Sequence, residues 1–356
     1  MTIIYQLLAF IASALFTYSL RTYAIKKNIY DVPNIRSSHS VPTPRGGGVA
    51  IVVVFLLALS SYGLSSMPNP VNFNQECNIL DCAFDVYTPF LMMVAGILVA
   101  FIGWLDDHGH VRSGIRFAAH LSGSAIIVFA IGGLPAFELF GYPVNLDLYG
   151  GVLGVIGLTW LLNLYNFMDG IDGIAGVEAV TTSGIAGLIL FHSFGLHQLA
   201  NLHFMLTAAS LGFLVWNFPS AKIFMGDAGS GFLGLMLGAL MLYSASLASS
   251  MLWIWMILLG VFIVDATYTL CRRLLRGDRV YEAHRSHAYQ HAARYYGSHK
   301  IVTMGVLLIN IIWLAPIAYL VAADEVNGAM ALLIAYTPLV FLAWKFKAGE
   351  LERADI

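Results

Sequence analysis

Asn166, Asp169 and Asp172 stand within NFMDGIDGIAG, between runs as apolar as LGVIGLTWLL and IAGLILF. Two carboxylates three residues apart share one face if the segment is helical. Gly170 and Gly173 equally allow a tight turn and close approach of the backbone to a ligand. Asp106 and Asp107 are adjacent in LDDHGHVRSG, and Asp227 lies in MGDAGSG, where the glycines would free backbone N–H groups near a helix start for a phosphate. Cations accompany these acids: Arg45 in PTPRGGG, and Arg285 with His287 in HRSHAYQH. Carboxylates facing cations suit a divalent metal and a phosphorylated substrate. Mg2+ or Mn2+ takes carboxylate oxygens and completes its shell with phosphates, and Arg, Lys and His hold the remaining phosphate oxygens. Plainer readings exist: a solvated pair capping a turn for Asp106 and Asp107, a helix N-cap for Asp227, and attraction to anionic headgroups for Arg272, Arg273 and Arg276.

The elements that must position these residues are set by composition. Of 356 residues, 59% are hydrophobic and 11% charged, against roughly 25% charged in soluble domains, and the mean hydropathy is +0.77. The chain reads as an all-α, polytopic membrane protein forming a single integral-membrane domain over 1–356. A hydrocarbon core of about 30 Å needs roughly 20 apolar residues per helix. About eleven such runs fall near 3–24, 47–65, 87–105, 114–132, 150–165, 173–191, 199–216, 230–248, 251–270, 301–321 and 329–345. If the chain changes sides at each run, all 18 Lys and Arg collect on one side, and the opposite connections carry only acids such as Glu138, Asp147, Asp324 and Glu325. That asymmetry expects a periplasmic N-terminus, a cytoplasmic C-terminus and a site on the cytoplasmic face. The first run is expected to stay as an anchor, because no cation precedes it and Arg21, Lys26 and Lys27 follow it.

Other features are secondary. Cys77 and Cys82 share one outside connection, where a bridge and two unpaired thiols are equally compatible with the sequence, and Cys271 ends a span on the opposite side. Asp265 falls well inside a span, where an acid is functional or paired, and Arg272 or Arg273 two turns on offers a structural partner. The net charge of -2 says little about partners, and no nucleic-acid partner is expected. Intramembrane acids also belong to secondary transporters of anionic metabolites, although the polar residues here gather at one face.

Motifs in order, from Asp31-Val-Pro-Asn-Ile-Arg-Ser-Ser-His39 and Pro44-Arg-Gly-Gly through Asp106-Asp107, Asn166-Phe-Met-Asp-Gly-Ile-Asp-Gly173, Phe224-Met-Gly-Asp-Ala-Gly-Ser230 and Asp265 to His287, resemble the polyprenyl-phosphate N-acetylhexosamine-1-phosphate transferases of glycosyltransferase family 4. The last loop, with His284 in place of an Asp and Tyr289-Gln290 in place of a His pair, is closer to the O-antigen-initiating branch than to the peptidoglycan branch. The resemblance implies transfer of an N-acetylhexosamine 1-phosphate from a UDP-sugar (GlcNAc, FucNAc or QuiNAc) to undecaprenyl phosphate in the bacterial inner membrane, releasing UMP. It implies Asp227 and Asp107 as Mg2+ ligands, with Asp106, Asp107 and His287 as catalytic groups. Asn166, Asp169 and Asp172 would hold the nucleotide, Asn217 and Phe224 the base, and Arg45 with the pair Arg285 and His287 the phosphates. Two copies pairing as a homodimer are also implied.

Overall fold

A computed structural model describes residues 2–33, 38–39, 41–65, 79–109, 111–278 and 285–350. Cys77 and the side chain of Cys82 lie outside the described residues, as do Arg36 and His284; the Cys271 thiol is free and exposed.

Each apolar run has become helix, as it must where no water is present to satisfy the backbone. In chain order the helices are α1 (Thr2–Lys26), α2 (Val49–Ser65), α3 (Ile79–His108), α4 (Ser113–Ile131), α5 (Asp147–Met168), α6 (Ile174–His192), α7 (His197–Asn217) and α8 (Asp227–Leu247). They continue as α9 (Met251–Leu258), α10 (Gly260–Arg276), α11 (Ala288–Tyr296), α12 (His299–Leu308), α13 (Ala315–Ala322) and α14 (Gly328–Lys345), with a π-helical turn, Ile309–Leu314, joining α12 to α13. Two small antiparallel pairs complete the elements, Tyr30–Asp31 with Thr43–Pro44 and Phe137–Leu139 with Tyr142–Val144.

Among the described residues nine helices are long and apolar enough to cross a membrane. The expected eleven depart from that number at two places. The run at 47–65 forms only the 17 residues of α2, at the short end of what a bilayer accepts. The run at 251–270 is broken at Leu259, and α9 and α10 meet at 70°. Gly260 makes the break sterically possible, since a Cβ there would come within 3.1 Å of Leu339 and Tyr336. The bend carries Arg272, Arg273 and Arg276 away from the axis of α9.

The core is built around α8, which is buried on every face, as expected of a helix that is apolar all round. Antiparallel neighbours bring the ends of α3, α5 and α7 and the starts of α2, α4, α6, α8 and α12 to one end of the bundle. Arg45–Asp227, Arg116–Asp106 and Asp172–His299 contacts cross between those ends. The opposite connections meet each other too: the Trp253 indole N–H, at the start of α9, donates to the Glu138 carbonyl at 2.9 Å. The structure therefore keeps the two sets of connections apart, as the charge pattern requires.

Candidate active site

The site begins with two glycine-rich segments that pair like strands. The Phe224 N–H donates to the Pro44 carbonyl at 2.8 Å, and the N–H groups of Gly47 and Gly48 donate to the carbonyls of Phe224 and Met225 at 2.9 Å each. No side chain fits between them, because a Cβ on Gly48 would lie 2.6 Å from the Gly229 Cα. This pairing delivers Arg45 to the first turn of α8.

Asp107 supplies the next constraint. Its carboxylate accepts the N–H groups of Asp227 and Ala228 at 2.9 and 3.2 Å, so α3 caps α8 across 120 residues of sequence and satisfies donors a helix start leaves open. Gly226, the N-cap, has φ +79 and would place a Cβ 2.5 Å from Asp107 Oδ2. Asp227 is thus not the cap of its own helix. Its side chain is released toward the neighbouring groups: Arg45 Nη2 at 2.9 Å, Asn166 Nδ2 at 3.3 Å and Arg116 Nη1 at 3.4 Å. Asn166 also donates to Ser230 Oγ at 2.8 Å, which fixes the amide against Asp227. Arg45 is shared, with Nε 2.8 Å from Asp107, and Arg116 is shared between Asp227 and Asp106. Asp106 also accepts the Val111 N–H at 2.9 Å.

A cavity of about 410 Å³ opens beside this cluster, lined by Arg45, Asn166, Asp169, Asp172, Asn217, Phe224 and Asp227. It is also lined by Asp31 and His39, the ends of the first motif, by Gln290 of the last loop, and by His299, which the sequence did not single out. His39 packs edge-on against Phe224 with ring centroids 4.8 Å apart, and His299, marked only by its position in the fold, stands in the first turn of α12. Asp172 Oδ1 is 3.1 Å from His299 Nδ1, and Oδ2 accepts the Ala221 N–H at 2.9 Å. Burial works against the Asp172 charge, but these hydrogen bonds outweigh it and hold the carboxyl below the usual aspartate range. Asp169 is the contrary case: burial pushes its carboxyl well up, and the nearby Asp227 carboxylate adds to the shift. Asn217 serves the walls, accepting the Gly173 N–H at 3.0 Å and donating to the Ile223 carbonyl at 2.9 Å.

His287 and Arg285 lie elsewhere. His287 does not line the cavity; its Nδ1 is 3.2 Å from Asp265 Oδ1, and the residue is almost fully buried at the start of α11. Arg285 is half-buried just before it, its carbonyl accepting from Arg294 at 3.1 Å. Neither residue of the pair is among those that line the cavity. The partner expected for Asp265 changes as well, since Arg272 pairs with Glu350 and Arg273 with Asp278. A further intramembrane acid, Glu178 on α6, is fully buried and accepts from Asn310 Nδ2 at 2.7 Å.

The donor set can be tested against a divalent ion. Among the described residues no three acidic, His or Cys side chains form a ready cation cage. Mg2+ does not need one, because it keeps waters and phosphate oxygens and uses one or two carboxylates. Asp227 faces the cavity, and Asp107 keeps one of its roughly four lone-pair positions beyond the contacts to Arg45, Asp227 and Ala228. Asp106, Asp107 and Asp227 pair with Arg45 and Arg116, a formal excess of negative charge that a dication offsets. The residues fit the ion.

A family model described as glycosyl transferase family 4 matches residues 89–245. The chain is 30% identical over 327 residues, 86% of its length and 82% of the relative's, to the probable undecaprenyl-phosphate N-acetylglucosaminyl 1-phosphate transferase of Bacillus subtilis (strain 168). The chain belongs to glycosyl transferase family 4. The chain is also similar to a decaprenyl-phosphate N-acetylglucosaminephosphotransferase of Mycolicibacterium smegmatis, 30% identical over 87% of this chain and 79% of the relative. An undecaprenyl-phosphate alpha-N-acetylglucosaminyl 1-phosphate transferase of Salmonella typhi is 27% identical over 79% and 73%. The polar cluster lies at the helix ends rather than midway along the bundle, where the transporter reading would need it.

Proposed function

We propose that this protein transfers N-acetylhexosamine 1-phosphate from a UDP-sugar to undecaprenyl phosphate, giving undecaprenyl-diphospho-sugar and UMP and starting O-antigen or a related envelope polysaccharide. The observation that carries the reading is the meeting of Arg45, Arg116 and the Asp106, Asp107 and Asp227 carboxylates beside a cavity of about 410 Å³ at one end of a membrane bundle. A cavity of that size holds a nucleotide sugar, while its position at the helix ends admits a lipid phosphate. The names of the relatives favour UDP-GlcNAc as donor. Mg2+ on Asp227, supported by Asp107, would offset repulsion between the donor diphosphate and the lipid phosphate.

The chain's own groups do the positioning. Arg45 and Arg116, each spread across two carboxylates, are the guanidiniums available to phosphate oxygens. Asn166 and Ser230 hold Asp227 in place. Asp106 orients the incoming lipid phosphate or takes its proton. Asp169 and Asp172 face the nucleotide, and Phe224 with His39 offers a ring surface to the base. One phosphoanhydride is broken and one is made, so the task is mainly to align two anions.

Purified protein given undecaprenyl phosphate and a panel of UDP-sugars should yield a lipid-linked diphospho-GlcNAc mass with release of UMP. No lipid-linked product from any UDP-N-acetylhexosamine would remove the reading. The proposal also places the cavity on the cytoplasmic face of the inner membrane. Cysteines replacing Ser38, Ser113 or Ser298 should then resist an impermeant maleimide in intact cells, and one replacing Asn145 should react. Labelling of Ser113→Cys from outside would invert the orientation.

A further inference from the structure

We infer that Asp265 is a positioning residue that sets one wall of the cavity from inside the membrane by holding the start of α11. Its side chain is buried in α10, beyond the 70° break. Oδ1 accepts the Ala288 N–H at 2.9 Å and Oδ2 the Tyr289 N–H at 2.9 Å. Thr269 Oγ1 and His287 Nδ1 each approach Oδ1 to 3.2 Å. A carboxylate against the first amides of a helix satisfies donors that would otherwise be open and complements the positive end of the helix dipole. At the edge of a bilayer, where water competes weakly, such charge-assisted bonds are strong.

The anchor reaches the cavity in one step of sequence. The His287 N–H donates to Gln290 Oε1 at 3.2 Å, closing a capping box that fixes the Gln290 side chain. Gln290 lines the cavity. Tyr289 Oη donates to the Phe167 carbonyl at 3.0 Å, at the turn that carries Asp169. The fit there is close: a Cβ on Gly170 would fall inside the Tyr289 hydroxyl and 3.2 Å from Gln290 Nε2. The bent span, the α11 start and the Phe167–Gly170 turn thus form one connected path, and His287 belongs to the anchor end of it. The assignment as a positioning group rests on the transferase reading, whereas the anchoring itself does not.

The test uses the full-length protein in lipid nanodiscs. Asp265→Asn keeps the shape but loses the charge and one acceptor. It should speed hydrogen exchange at Ala288 and Tyr289 by at least about tenfold and lower kcat/KM for the UDP-sugar roughly 10- to 100-fold, mainly through KM. Asp265→Glu, which keeps the charge, should retain more protection and more activity than Asp265→Asn. A role confined to global stability would instead move the melting temperature and leave KM unchanged. Unchanged exchange at Ala288 and Tyr289 in folded Asp265→Asn would overturn the anchor. If wild-type protein makes no product, the exchange measurement still decides the anchor, so the two failures are told apart. Should Asp265→Asn not fold, the far end of the path decides: Gly170→Ala should lose activity, and Tyr289→Phe in the same chain should restore part of it. A double variant no better than Gly170→Ala would refute the path.

Discussion

Asp227→Asn will lower turnover roughly 10³-fold, a loss of the size seen when a group stabilising transition-state charge is removed, while the protein still folds and inserts. The reason lies in how Asp227 is held. The start of α8 is capped by Asp107 through the backbone N–H groups of Asp227 and Ala228, so an amide side chain at 227 leaves the cap untouched. Asn can still accept from Arg45 and Asn166 at the Oδ1 position. What it removes is the charge facing the cavity. Melting in detergent should therefore stay close to wild type while lipid-linked product disappears. EDTA should silence the wild type in the same way, and added Mg2+ should restore it. Full turnover of wild-type protein in metal-free buffer would end the assignment of Asp227 as a metal ligand.

An all-or-none result is expected from isotope exchange. Protein stripped of polyprenyl phosphate, given radiolabelled UMP and unlabelled UDP-sugar, should move no label into the UDP-sugar until lipid acceptor or lipid-linked product is returned. The alternative is attack by Asp106 or Asp107 on the donor's β-phosphate, with an aspartyl-phosphate sugar formed and UMP leaving. The contacts of both residues oppose it. Asp107 is occupied by two backbone N–H groups and Arg45, and Asp106 by the Val111 N–H and Arg116. Hydrogen bonds and ion pairs to a carboxylate lower its nucleophilicity, and they fix it in place. Two guanidiniums beside carboxylates that would hold the proposed metal suit two phosphates held in line. Exchange in rigorously lipid-free protein would establish the covalent route.

The sequence by itself determined the membrane class, the helical runs and the polar side of the bundle. Those properties are local: about 20 apolar residues must become helix in a bilayer, and alternation then sorts Arg45, Asp106, Asn166 and Asp227 to one end. The motif residues were legible for the same reason, since acids and glycines between apolar runs stand out. Tertiary structure alone decided who meets whom. Arg45 and Asp227 are 182 residues apart, and nothing in either segment shows that Asp107 caps α8 or that Arg116 bridges Asp106 and Asp227. His299 became a cavity residue only through the packing of α12 against the α5–α6 turn, and His39 lines it beside Phe224. The meeting of His287 with the buried Asp265 carboxylate at the start of α11 was likewise decided by packing beyond the bend at Leu259. Hydrophobic periodicity fixes which face of a helix is buried, whereas a hydrogen-bond partner depends on close packing between elements distant in sequence.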